Sequence, residues 1–136
     1  MLLTKYTHAC VRVDDGDRRL LLDPGVWTEP EAYDGVTDIL VTHEHADHFA
    51  VAPLVALLAS SPDLRIYGDE SLKAVAVEEN APAVAEAIQT VAVGDTFTAA
   101  GFAVTVVGGK HAEIYDGLPQ CANVGFIVDG VYHPGD

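Results

Sequence analysis

In the run His43-Glu44-His45-Ala46-Asp47-His48, four candidate metal ligands, His43, His45, Asp47 and His48, fall within six consecutive positions. Imidazole and carboxylate together suit zinc, with manganese or iron as alternatives. In an extended stretch His43 and His45 point to the same side, because strand side chains alternate. Asp47 and His48 fall on the turn that follows and can face a second point. The helical His-Glu-x-x-His zinc arrangement is excluded by the spacing. Three of the six histidines of the chain sit in this hexad, which argues against chance. A divalent ion held there would bring the pKa of a bound water to about 7, and two ions about 3.5–4 Å apart could clamp attacking and leaving oxygens.

Other residues are weaker candidates alone. His111 follows Gly108-Gly109 at the end of a long β-rich run, and glycine lets backbone approach closely. Asp23 ends an apolar strand before Pro24-Gly25; it is either a turn aspartate or a hydrogen-bond partner that fixes the hexad. Asp47 could also orient a nucleophile or receive a proton. His8 either lines the floor of a site or satisfies a bond between strands, and His133 reads as structural. Trp27, Tyr33 and Tyr115 lie in loops, where they either wall a substrate pocket or pack locally. Lys110 reads as a solvent-exposed lysine and Glu44 as a solvated acid.

These residues need a scaffold. Residues 2–7, 9–13 and 18–22 read as strands, with a turn of the Asp-Gly type in Asp14-Asp15-Gly16-Asp17. Thr37–Val41 is a short apolar run fit for a buried strand directly before the hexad. Pro53 suits the first turn of a helix that carries Leu54, Leu57 and Leu58 and stops at Ser60-Ser61-Pro62. A strand follows at 64–67. Asp69 can cap a second helix with Leu72, Val75 and Ala76 on one face. Pro82 opens a third, with Val84, Ala87 and Ile88 inward. Beyond residue 89 the pattern turns to strands at 91–93, 96–98, 102–107, 124–128 and 131–133, with a hairpin signal at Asp129-Gly130. The class is mixed α+β with much antiparallel pairing.

Composition narrows the function. The chain has 136 residues, 49% of them hydrophobic, enough for one domain with a core and against disorder. Seven Lys and Arg against 21 Asp and Glu give a net charge of −14, which repels phosphate backbones and anionic membranes. The partner expected is therefore a small-molecule substrate, with neither nucleic acid nor membrane. No apolar run approaches the ~20 residues of a membrane span. Cys10 and Cys121 read as free thiols, and with no secretion signal in the N-terminal residues the expected location is cytoplasmic.

His-x-His-x-Asp-His after a buried strand resembles the signature of the metallo-β-lactamase fold superfamily. Leu21-Leu22-Asp23-Pro24-Gly25 resembles the aspartate segment that precedes the signature, and Gly109-Lys110-His111 the third-histidine segment. Tyr132-His133-Pro134-Gly135-Asp136 resembles the Gly-Asp segment whose aspartate bridges two metals. The N-terminal Thr7-His8-Ala9-Cys10 is most similar to ascorbate-6-phosphate lactonase-like hydrolases. The resemblance implies that His43, His45 and His111 hold a first metal, that Asp47 and His48 contribute to a second, and that Asp136 bridges them. It implies a supporting role for Asp23. Zn2+, up to two per complete site with Mn2+ or Fe as substitutes, would present a metal-bound hydroxide to an ester, lactone, amide or phosphoester.

The same resemblance implies a four-layer αβ/βα sandwich, of which residues 1–136 would be a single incomplete domain, the N-terminal part. Its sheet would be mostly antiparallel, with helices on one face. A further histidine of the second site normally follows the Gly-Asp segment, and none follows Asp136. The expectation is a piece of a longer protein, or a homo-oligomer that covers an apolar sheet face. Two functions follow: a metal-dependent hydrolase, or a catalytically incomplete metal-binding half-domain acting through assembly.

Overall fold

A computed structural model describes residues 1–118 and 120–136. Two sheets face each other, and the three α-helices among the described residues lie on the far side of the first. The first sheet has strand order β1 (Leu2–Lys5), β2 (Val11–Asp15), β3 (Arg18–Leu22), β4 (Asp38–Leu40), β5 (Arg65–Gly68) and β6 (Ile88–Thr90). Its first three strands pair antiparallel, and β3 through β6 pair parallel. The second sheet, all antiparallel, has β7 (Thr96–Ala99), β8 (Phe102–Gly108), β9 (Val124–Val128) and β10 (Val131–His133) in the order β10-β9-β8-β7. Across both sheets antiparallel pairing predominates, as expected, but the first, helix-backed sheet has more parallel pairs than antiparallel ones.

Alternation along the strands builds two cores. Leu21, Ile39, Val41 and Ile66 face the helices α1 (Val51–Ser60), α2 (Ser71–Glu78) and α3 (Pro82–Ala87), meeting Leu54, Leu72 and Val84. Leu20, Leu22, Leu40 and Tyr67 face the second sheet, meeting Phe102, Val104, Val106 and Phe126. The helices therefore lie on one face. None of the described helices is long and apolar enough to cross a membrane.

Several local expectations change. Residues 6–10 are a turn between β1 and β2, not strand, and His8 there has φ 61°. The β2–β3 hairpin pairs Asp15 with Arg18, so Gly16-Asp17 is its loop. Helix α1 starts two residues before Pro53. The N-cap of α2 is Glu70, which makes no side-chain cap bond; Asp69, one residue earlier, accepts the Ser71 N–H at 2.9 Å. Ile88 buries in the helix-side core, but as the first residue of β6, paired with Ile66. Residues 91–93 form no strand; the Ala92 N–H bonds Asp95 Oδ2 in a turn instead. On the outer face of the second sheet, Thr96, Thr98 and Thr105 interrupt Val107, Ile127 and Tyr132, so that face is mixed, not uniformly apolar.

Candidate metal centre

Parallel strands end on one side of a sheet, where open α/β sheets place their ligands. Leu22 and Leu40 are register partners, so Asp23 and the Val41-Thr42-His43 segment leave the sheet side by side. The Asp23 N–H bonds Leu40 O, and the Val41 N–H bonds Tyr67 O, both at 2.9 Å. The hexad then folds tightly, with the N–H groups of His48 and Phe49 both bonded to His45 O at 2.9 Å. It is laced to the segment after Asp23 by Val26 N–H to Ala46 O and Ala50 N–H to Pro24 O, each 3.0 Å. Gly25 makes that approach feasible, since a Cβ there would lie 1.9 Å from Asp47 O.

The second sheet brings the remaining groups. Val124 N–H donates to Thr42 O at 2.9 Å, and Ala112 N–H to Asp136 O at 2.8 Å. Buried Asn123 accepts the Asp136 N–H at 3.1 Å and donates to Pro134 O at 2.9 Å. The ring centroids of His43, His45 and His111 form a triangle 4.8 Å on each side. Asp136 Oδ2 lies 3.3, 3.7 and 3.9 Å from the Nε2 atoms of His48, His111 and His43. Asp47 Oδ2 lies 3.7 Å from His48 Nε2 and 2.8 Å from His8 Nε2.

The donor set fits a metal. His43, His48 and His111 are buried, and the Nε2 atom of each has no hydrogen-bond partner among the described residues. Buried polar atoms left unpaired are costly and rare. Their opposite nitrogens are all engaged. His111 Nδ1–H donates to Ala112 O at 2.6 Å, His48 Nδ1–H to Asp23 Oδ2 at 2.7 Å, and His43 Nδ1 lies 3.0 Å from Thr42 Oγ1. This fixes the tautomer with a lone pair on Nε2, the form a metal ligand needs. Ligand atoms of His43, His45 and His111 lie within 4.8 Å of one another, as do those of His43, His48 and Asp136.

Asp23 organises this arrangement without facing it. Fully buried, it accepts bonds from Thr42 N–H and Thr42 Oγ1–H at 2.7 Å, His48 Nδ1 at 2.7 Å and His133 Nε2 at 3.0 Å. Burial alone would raise its pKa, but the hydrogen bonds from His133 and His48 outweigh it and draw the carboxyl down to about 2. Burial and the neighbouring His48 lower His43 to about 4. Burial opposes charge on His48 too, yet its bond to Asp23 raises its pKa. Asp47 is lowered, because the charge of His48 and a bond from His8 overcome its burial.

Every candidate from the hexad, together with His111 and Asp136, is thus gathered at one place, and Asp23 lies directly behind. Residue reasoning alone missed three contributors. Thr42 links His43 to Asp23, Asn123 holds the Asp136 backbone, and Cys121 lies with Sγ 3.7 Å from His45 Nε2. Cys10 and Cys121 are both free. His133 bonds Asp23, and Trp27 is exposed beside His8 at a ring distance of 5.3 Å. Tyr33 packs against the helix-side core, away from the site, whereas Tyr115 and Lys110 are exposed.

Residues 2–136 match the family described as Beta-lactamase superfamily domain. The chain belongs to that family. Protein Rv0786c of Mycobacterium tuberculosis is 34% identical over 143 residues, covering 100% of this chain and 64% of its own length. A protein of Xanthobacter autotrophicus named UPF0173 metal-dependent hydrolase is 33% identical over 131 residues, covering 88% of this chain and 52% of its own. The superfamily domain described here therefore spans between half and two-thirds of these relatives. Among solved structures, CmlA, a diiron β-hydroxylase from Streptomyces venezuelae, superposes with a TM-score of 0.68 at 17% identity, over 93% of this chain and 27% of that one. Such a likeness shows a shared fold alone and leaves the reaction open.

Proposed function

We propose that this domain carries the metal centre of a metal-dependent hydrolase acting on an ester, lactone or phosphoester of a small molecule. One observation carries this reading: three buried imidazole nitrogens, with lone pairs free, converge beside Asp136. The names of relatives such as the Xanthobacter protein support it. His43, His45 and His111 would hold one ion; Asp47 and His48 would serve a second; Asp136 faces both positions. A bound divalent cation supplies a water that is nucleophilic near neutral pH and polarises the bond to be broken.

The protein's own residues set the conditions. Asp23 and Thr42 hold His48 and His43 in the ligating tautomer. Asp47, half exposed at the mouth, is placed to orient the water and accept its proton. Exposed Trp27 offers an apolar wall on the side of His8. The nitrogen-rich donor set favours zinc, with manganese or iron as alternatives. The lactonase-like N-terminal segment inclines the substrate towards phosphorylated or lactone compounds, in a cytoplasmic setting.

The test is turnover of model lactone, ester and phosphodiester substrates by the full-length protein. Activity should disappear with chelator and with His45→Ala, and return on adding Zn2+ or Mn2+ to the wild type only. Metal binding without turnover of any of these would favour the second reading, a metal-binding half-domain acting through assembly.

A further inference from the structure

We infer that His8 is itself a metal ligand, closing the second position of the centre from the N-terminal turn together with Asp47 and His48. This rests on the metal-centre reading above. One nitrogen of His8, one oxygen of Asp47 and one nitrogen of His48 lie within 4.8 Å of one another. Ligands each about 2.1 Å from one ion stand about 3.0–3.4 Å apart at octahedral or tetrahedral angles. The observed 2.8 Å from His8 Nε2 to Asp47 Oδ2 and 3.7 Å from Asp47 Oδ2 to His48 Nε2 bracket that range.

The turn is built to present this ring. His8 adopts φ 61°, a left-handed conformation that is uncommon for any residue but glycine. Backbone strain of this kind persists only where the surroundings over-determine it. Here Lys5 Nζ bonds the carbonyls of Tyr6 and His8, and Glu29 accepts both the N–H and the hydroxyl of Thr7, at 3.0 and 2.5 Å. Trp27 meets the His8 ring edge-on at 5.3 Å, and His48 meets it at the same distance from another side. A loop needed only to join β1 to β2 requires none of this.

In the metal-free protein His8 Nε2–H donates to Asp47 Oδ2. On loading, that proton leaves Nε2, with Nδ1 or bulk water receiving it, and the ion takes its place between nitrogen and oxygen. The alternative role, a hydrogen bond that merely orients Asp47, keeps the proton on Nε2. The two states are distinguishable directly.

The experiment uses the full-length protein with 15N-labelled histidine, purified without a metal-affinity tag and titrated with Zn2+. Long-range 1H–15N spectra should show His8 Nε2 proton-free and metal-shifted at the second equivalent and unchanged at the first. His8→Gln keeps a side-chain N–H for Asp47 but removes the imidazole. It should weaken the second equivalent ~100-fold or more, beyond the usual loss for an outer hydrogen-bond partner, and spare the first. A proton retained on Nε2 after two equivalents overturns the inference, as does a second equivalent bound normally by His8→Gln. Should wild-type protein bind no zinc at all, the metal centre fails with it; zinc bound at the first position alone overturns only the role of His8. The wild-type spectra decide the matter even if the variant does not fold.

Discussion

Asp23 Oδ2 accepts the Nδ1–H of His48 at 2.7 Å, from a position with no access to solvent. The same oxygen receives Thr42 Oγ1–H, which in turn lies 3.0 Å from His43 Nδ1. One carboxylate thus governs the ring orientation of two residues of the centre. Asp23→Asn keeps the shape but removes the charge and substitutes a donor for an acceptor. Metal affinity should fall by about 10–100-fold, and folding stability by about 1–3 kcal/mol. Competition with a chelator and urea midpoints of the metal-free protein measure the two effects. Unchanged metal affinity would remove Asp23 from the site.

Gly25 tests the lacing of the hexad. A Cβ at this position would collide with the Asp47 carbonyl at 1.9 Å, a backbone atom that no side-chain rotation can move. Gly25→Ala should cost about 1–3 kcal/mol or more, as overpacking does, and should displace Asp47 in particular. Elemental analysis is expected to show metal content falling by about one ion per chain. A variant with wild-type stability and metal content would show the loop to be pliant.

Much of this was legible in the residues. The hexad announces itself because its ligands are local, within six positions directly after a buried strand. Asp23 and Asp136 are recognisable only as strand-end segments in chain order. Asn123 and Thr42 carry no signal, because their work is to bond groups far away in sequence, such as Asp136 and Asp23. The width of the turn at 6–10 was obscured by apolar and β-branched neighbours that extend the flanking strands to 7 and from 9; Lys5 and Glu29 impose the wider break through contacts that periodicity does not record. Ile88 illustrates the limit at α3: burial was correctly expected, but pairing with Ile66 in β5 made it strand.

Stability of the metal-free protein should peak near pH 6.5. The folded pKa of His43 is depressed to about 4, so the unfolded chain takes up this proton first. Stability from His43 is complete above about 6.5 and is lost as the pH falls towards 4, by about 3 kcal/mol. The folded pKa of His48 is raised, so its contribution is complete below about 6.5 and is lost as the pH rises through its folded value. Urea midpoints between pH 4 and 9 should trace a dome. Saturating Zn2+ holds both rings neutral and should abolish the fall on the alkaline side. A profile that is flat or rises throughout contradicts the assignment.

Asn123→Ala addresses Asp136 through its backbone alone. The variant loses the acceptor for the Asp136 N–H and the donor to Pro134 O. Stability should drop by about 1–3 kcal/mol. Metal affinity should fall while the His43–His45–His111 group stays in place. An isothermal titration that shows the first equivalent preserved and the second weakened would fit; equal loss of both would mean that Asn123 supports the whole sheet edge.

The centre draws on residues 23, 43–48, 111 and 136, which are close in space but scattered along nearly the entire chain. Contacts of such separation are slow to form, since loop closure must precede their reward. An ion therefore meets its full complement of donors only after the two sheets have docked, late on the folding route. Its stabilisation falls on the native state and is absent from the transition state. Metal should accordingly leave the refolding rate nearly unchanged and slow unfolding by the whole of its binding contribution, so that the loaded domain persists by a high exit barrier.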